Sequence, residues 1–314
     1  MRLVAWGMAL FAMIGTASAA ELKIIVHTAT GGHYIHANIL AKHLGKYLPD
    51  TKVILQPMPG ASGAVALNYI ANVARKDGSE ISTAHSRAIL SGLFKGKDVK
   101  YDITKLEWLG SALDGRREPF VMMVRQDRQK VIAGSDSSVE INQFRIIKQL
   151  TGWEFDEVTG YKDAPDVKLA FDRGEVTAVV RSLDGIRFAA PDWLKNDNVK
   201  PVLQFGNGRT RHHSMPDVPT LAELAAPDSD MDMLKLFEAY TVLARPFVAP
   251  PGTDPERLAV LRRAFWQVFQ NAEYRAEVAK FGVEVSPISW EDCHKIINGI
   301  MSSSDMTVRK LQGF

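Results

Sequence analysis

The chain has 314 residues, 46 % hydrophobic and 24 % charged, with 38 Lys and Arg against 36 Asp and Glu. That length favours two domains with sizeable cores, the ordinary apolar and charged fractions set aside a disordered chain, a collagen and a polytopic membrane protein, and a net charge of +2 disfavours a nucleic-acid binder. One cysteine, Cys293, excludes an intramolecular disulfide and any multi-cysteine zinc or iron–sulfur site.

In chain order, the first element is a leader over residues 1–20. Arg2 precedes an uncharged run from Leu3 to Gly15, and Ala17-Ser18-Ala19 fits the small-residue cleavage pattern. The run is short of the ~20 residues that span a bilayer. Cleavage is expected near Ala19 or Ala20, with the mature chain in the periplasm, where a lone cysteine is unremarkable.

Leu22 to Val26 is β-rich and ends in Thr28-Ala29-Thr30-Gly31-Gly32. From Ile35 to Leu48 the apolar residues recur at helical spacing. Val53-Ile54-Leu55 is a second strand ending at Pro59-Gly60-Ala61-Ser62-Gly63, followed by a helix from Ala64 to Val73. The Asp77-Gly78 turn leads to a third strand, Ser79 to Thr83. The pattern restarts with strands at Phe120 to Val124 and Lys130 to Ala133, a polar loop to Ser138, and a helix from Glu140 to Leu150. Strand Glu157-Val158, helix Val167 to Asp172 and strand Val176 to Val180 follow. Pro246 to Pro255 reads as a proline-rich connection, and Glu256 to Asn271 and Tyr274 to Phe281 as helices. Alternating strands and helices predict an α/β chain with a mostly parallel sheet in each of two lobes.

Ligands of open α/β sheets sit beyond the carboxyl ends of the strands. Here those ends carry Thr28, Thr30, Gly31 and Gly32, then Gly60, Ala61, Ser62 and Gly63, then Ser135, Ser137 and Ser138. Small residues admit a ligand to backbone N–H groups, and a following helix N-terminus adds partial positive charge. That equipment suits carboxylates or phosphates. The phosphate loop, the G-x-G-x-x-G fingerprint and the G-x-S-x-G elbow are absent. His33 with His36, and His212 with His213, lack a nearby Cys or HExxH to complete a zinc site, so no metal and no cofactor is expected. His33 sits on a candidate ligand loop, and Arg87 and Arg181 each follow a strand, placed to clamp a carboxylate.

These segments resemble the Bug/TctC-type solute receptors of tripartite tricarboxylate transporters. The resemblance rests on Gly31-Gly32, on Gln56-Pro57-Met58-Pro59-Gly60-Ala61-Ser62-Gly63, and on Lys76-Asp77-Gly78. It continues through Arg173-Gly174-Glu175-Val176, Pro216-Asp217-Val218-Pro219-Thr220-Leu221-Ala222-Glu223, and Phe247 to Pro255. It implies a type II-like, two-lobed periplasmic binding protein, with lobe one at 21–120 plus 240–314, lobe two at 121–239, and a ligand cleft between them. Two loops, Thr28 to Tyr34 and Gly134 to Ser138, would hold a carboxylate, with His85, Ser86, Arg87, Tyr161, Arg181 and Ser182 lining the cleft. The family commonly has an acid just after the Gly-Gly loop, where this chain has Tyr34, which disfavours an amino-acid ligand. The implied function is non-enzymatic capture of a di- or tricarboxylate or aromatic acid by a monomer. The cargo would pass to a membrane permease of one large and one small subunit, with no nucleic-acid partner. The alternatives are a receptor repurposed for sensing and an exported hydrolase.

Overall fold

The computed structural model describes residues 20–96, 98–136, 138–227, 229 and 231–312, so the leader up to residue 19 and Ser137 lie outside the described residues. The first strands are β1 (Ala20–Val26), β2 (Thr51–Pro57), β3 (Glu80–Thr83) and β4 (Glu107–Ser111). Next come β5 (Phe120–Arg125), β6 (Ile132–Gly134), β7 (Asp156–Val158), β8 (Ala178–Ser182) and β9 (Val199–Phe205). The last is β10 (Pro246–Ala249). They form two five-stranded sheets, ordered β2-β1-β3-β10-β4 and β7-β6-β8-β5-β9.

In the first sheet β1 to β4 share one direction and β10 runs against them. In the second, β6 to β9 share one direction and β5 runs against them. The expected α/β class therefore holds, with one antiparallel intruder per sheet. Each intruder is a strand at which the chain passes from one sheet to the other. Pro246 to Pro255 is thus not simply a connection, because its first four residues are β10, an interior strand. Proline is tolerated at the first position of a strand, and the Ala84 N–H donates to the Pro246 carbonyl at 3.0 Å.

Side chains alternate across each sheet, as a period of two requires. Leu22, Ile24, Val26 and Phe247 enter one cluster on the first sheet, and Val121, Met123 and Val179 enter another on the second. The opposite faces, through Ile25, Trp108 and Val248 and through Met122, Val180 and Phe205, join a single shared cluster. Burial on both faces explains why these strands read as continuous apolar runs.

The helices are α1 (Gly31–Leu44), α2 (Ala64–Asn72), α3 (Ser86–Leu93), α4 (Ser138–Thr151), α5 (Ala164–Arg173) and α6 (Leu183–Ala189). After them come α7 (Leu221–Leu224), α8 (Met231–Ala239), α9 (Pro255–Gln270), α10 (Ala272–Ala279), α11 (Trp290–Met301) and α12 (Asp305–Gln312). Among the described residues no helix is long and apolar enough to cross a membrane. Helix α1 starts four residues before the expected Ile35, so Gly31 and Gly32 form its first turn.

Two segments carry the chain between the sheets, and they run side by side. The Gly115 N–H donates to Val242 O at 2.8 Å and the Ala112 N–H to Arg245 O at 3.1 Å, with an antiparallel bridge between Asp114 and Leu243. A Cβ on Gly115 would lie 1.9 Å from Thr241 O, so only glycine allows this approach.

Candidate functional site

A cavity of about 340 Å³ is lined from both sheets. The first sheet contributes the start of α1 through Thr30, Gly31, Gly32 and His33, and the start of α3 through His85, Ser86 and Arg87. The second contributes Arg181 and Ser182 at the end of β8, with Gly185 and Phe188 on α6. Arg245 enters from the crossing segment, and Phe120, Ile186 and Trp193 supply apolar wall. Gly32 lets α1 meet α6, since a Cβ there would stand 3.3 Å from Gly185 Cα and 3.1 Å from Arg245 Nη2.

The start of α1 is open to an anion. Its N-cap Thr30 makes no side-chain capping bond, and no acidic residue lies in its first turn. The first N–H groups of a helix lack intrahelical partners and carry the positive end of the dipole.

Three buried guanidiniums converge beside it. Arg87 Nη1 donates to Asp136 Oδ1 at 2.6 Å, and both side chains are under one-tenth exposed. Arg245 Nε donates to Asp184 Oδ2 at 2.5 Å, and Arg245 Nη1 is buried with no hydrogen-bond partner among the described residues. Arg181 donates to its neighbour's carbonyl, Val180 O, at 2.8 Å. Burial, then the charge of Arg87, pulls the Arg181 guanidinium down to about 10. Both ion pairs join an element of the first sheet, or the crossing segment, to an element of the second. Near Asp184, Glu118 pairs with Arg187 at 2.8 Å. Burial and the Asp184 charge nonetheless push the Glu118 carboxyl upward.

Next to Arg87 lie three imidazoles. His27 follows β1, His33 is in the first turn of α1, and His85 is the N-cap of α3. Their ring centroids are 4.4 Å (His27–His33), 4.8 Å (His27–His85) and 4.8 Å (His33–His85) apart. His27 Nδ1 lies 3.0 Å from Thr83 Oγ1. His85 Nδ1 accepts the Arg87 N–H at 3.0 Å, which assigns the proton of its neutral ring to Nε2. Burial, aided by Arg245, lowers His27 to about 3, and burial first of all also pulls His33 and His85 well down. The imidazoles are therefore neutral near pH 7. His36, the sequence neighbour of His33, turns elsewhere and sits 2.7 Å from Tyr274 Oη.

No family model matches the chain. A UPF0065 protein of Bordetella bronchiseptica is 24% identical over 292 residues, covering 86% of this chain and 79% of that protein. The solved periplasmic binding protein BugD aligns with a TM-score of 0.71 at 14% identity, covering 93% of this chain and 97% of its own. MatC from Rhodopseudomonas palustris, solved with bound malate, aligns at 0.70 and 15% identity, covering 92% and 98%. The fold is that of the Bug-type periplasmic binding proteins. These similar structures are binding proteins.

On this Bug-type fold, nine residues expected at the site line the cavity: Thr30, Gly31, Gly32, His33, His85, Ser86, Arg87, Arg181 and Ser182. The rest do not. Thr28 bonds back to Thr30 O, Tyr34 packs against the core of the first sheet, and Tyr161 packs against that of the second. Gly60, Ala61, Ser62 and Gly63 all have positive φ, and this turn backs the imidazoles, since a Cβ on Gly63 would lie 3.3 Å from His85 Cβ. Ser135 is buried, with its N–H on Val158 O, and Ser138 opens α4.

Sequence reasoning missed Arg245, Asp184, Asp136, Phe188 and Trp193. One signal was present, because Arg245 is the single charge in the apolar run from Ala239 to Pro250, and buried charges sit where they are paired or used.

Proposed function

We propose that the chain is a periplasmic solute receptor that captures a small carboxylate and delivers it to a membrane permease. The observation that carries this reading is the uncapped start of α1, opening into a cavity that also holds Arg87, Arg181 and Arg245. A helix N-terminus and guanidiniums recognise a carboxylate without a metal. The apolar wall of Phe120, Ile186, Phe188 and Trp193 suits the carbon skeleton of a di- or tricarboxylate or aromatic acid. The malate bound to MatC supports the same ligand class.

In this reading the lobes are 21–120 with 240–314, and 121–239. They close about the paired crossing segments, and the closed form docks to a permease of one large and one small subunit. Residues 1–20 are removed on export near Ala19 or Ala20, and the mature protein is a non-enzymatic monomer. The candidate contacts are the nine expected residues that line the cavity, with Arg245 added.

The test is a thermal-shift and calorimetric screen with malate, adipate, citrate and aromatic acids. At least one acid should stabilise the protein and bind at 1:1. Arg181→Ala and Arg87→Ala should each weaken that binding by ten-fold or more, the range of one charged hydrogen bond. No stabilisation by any acid, together with turnover of an ester panel, would sink the reading.

A further inference from the structure

We propose that His27, His33 and His85 form a three-histidine site for a divalent transition metal of the zinc, copper or nickel class. The cargo of the cleft is then that metal chelated by a multicarboxylate. The second half of this inference rests on the carboxylate-receptor reading; the first does not.

The geometry points to ligation. One candidate ligand atom from each histidine lies within 4.8 Å of the other two. Tetrahedral zinc at ~2.0–2.1 Å from each nitrogen sets the nitrogens roughly 3.3 Å apart. The rings therefore need to close by about 1.5 Å at most, within reach of side-chain rotation. Imidazole suits zinc, copper and nickel, and three protein ligands leave an open position for a ligand from outside. His33 and His85 line the cavity, so the open position faces it. Thr83 Oγ1, 3.0 Å from His27 Nδ1, can orient that ring from behind the metal.

Two features favour a chelate over the bare ion. The guanidiniums of Arg87 and Arg245 act on these imidazoles, and they repel an uncompensated dication. Excess carboxylate on a chelate answers them. His85 also holds the Arg87 N–H through Nδ1. Ligation at Nδ1 takes that lone pair directly. Ligation at Nε2 moves the ring proton to Nδ1. Either way the Arg87 N–H at the start of α3 is released to bind a carboxylate oxygen. Metal and carboxylate thus assist each other, and the coupling is reciprocal.

The test is calorimetric titration of the metal-free full chain with citrate, with Zn²⁺, and with Zn²⁺ and citrate together, repeated on His33→Ala and His33→Gln. Circular dichroism checks folding, and the Gln variant keeps most of the side-chain volume if the Ala variant does not fold. The expected result is a gain of ten-fold or more in citrate affinity when Zn²⁺ is present, lost in the His33 variants. Co²⁺ with citrate should give a tetrahedral visible spectrum that His33→Gln abolishes. Equal citrate affinity with and without Zn²⁺ overturns the chelate, and no binding of Zn²⁺ in any titration overturns the metal site as well; both leave the carboxylate reading standing. A zinc-dependent gain that persists in His33→Gln also overturns it. Binding of Zn²⁺ alone, with no response to citrate or malate, overturns the chelate and the carboxylate reading, while the three-histidine site survives.

Discussion

The Arg245–Asp184 pair should behave as a buried, asymmetric ion pair. Its atoms approach to 2.5 Å, with side chains 2% and 1% exposed. At that separation and an effective dielectric near 20, the Coulomb attraction is about 6 to 7 kcal/mol, and desolvation of the two ions offsets much of it. Removing one partner leaves the other charge buried, at a cost of roughly 3–5 kcal/mol, whereas replacing both with apolar residues of similar volume is often neutral. Glu118 breaks the symmetry, because its carboxyl feels both Asp184 and Arg245. Arg245→Met leaves Asp184 and Glu118 facing each other and falls at the top of that range. Asp184→Leu removes the like charge that helps raise Glu118, so the Glu118 carboxylate, held by Arg187, partly offsets the Arg245 charge and the loss falls at the bottom. The double variant should recover most of the loss. Urea unfolding at pH 7, with midpoint and slope fitted for all four proteins, measures the cycle. Single losses under about 1 kcal/mol, or a double loss equal to the sum of the singles, would refute the reasoning.

Three further outcomes follow from the same geometry. Gly115→Ala drives a methyl into Thr241 O, 1.9 Å away, so the crossing segments must part; a loss of about 3 kcal/mol or more is expected in unfolding experiments, and a loss below about 0.5 kcal/mol would contradict the contact. Gly32→Ala presses on Gly185 Cα and Arg245 Nη2. It should weaken carboxylate binding several-fold in calorimetry, and unchanged affinity would mean that α1 and α6 do not meet in the bound form. His36 is lowered from 6.5 to about 3, mainly by burial. Its contribution is complete above pH 6.5 and drains as pH falls toward 3, amounting to about 2 kcal/mol lost by pH 5. His36→Gln should remove that share of an acid limb to which His27, His33 and His85 also contribute, in unfolding measured from pH 7.5 to 5, and an unaltered limb would assign the sensitivity elsewhere.

The fold class was legible because its signals are local. Strand, small-residue loop and helix follow one another at the start of each half, and apolar periodicity marks them. β10 was not legible, since Pro246 opens it and Pro250 and Pro251 follow it, while its stability comes from β3 and β4, remote in sequence. The same limit governs the site. Arg87 and Arg181 could be picked because each follows a strand, but Asp136 and Asp184 acquire meaning only once two sheets bring them to those arginines. His33 was weighed with His36, its neighbour in sequence, whereas its neighbours in space are His27 and His85. The glycine-rich turn at 60–63 was read as a ligand loop, yet its positive φ values serve close packing behind the imidazoles. Pro216 to Glu223, the most specific family-like segment, contains a capping box in which Thr220 and Glu223 satisfy each other's backbone N–H groups. Its pattern therefore encodes a helix start away from the cavity.

The position of β10 also governs how the chain must assemble. The second sheet is drawn from one continuous stretch, β5 to β9, and can form as soon as that stretch is complete. The first sheet cannot, because Thr83 pairs with Phe247 and Gly110 does as well. Until β10 arrives, β3 and β4 each present an open edge to any extended strand nearby, and such edges template aggregation. Contacts between residues so far apart in sequence are among the slow ones to form. A chain that stops short of Pro246 would keep both edges exposed for as long as it exists.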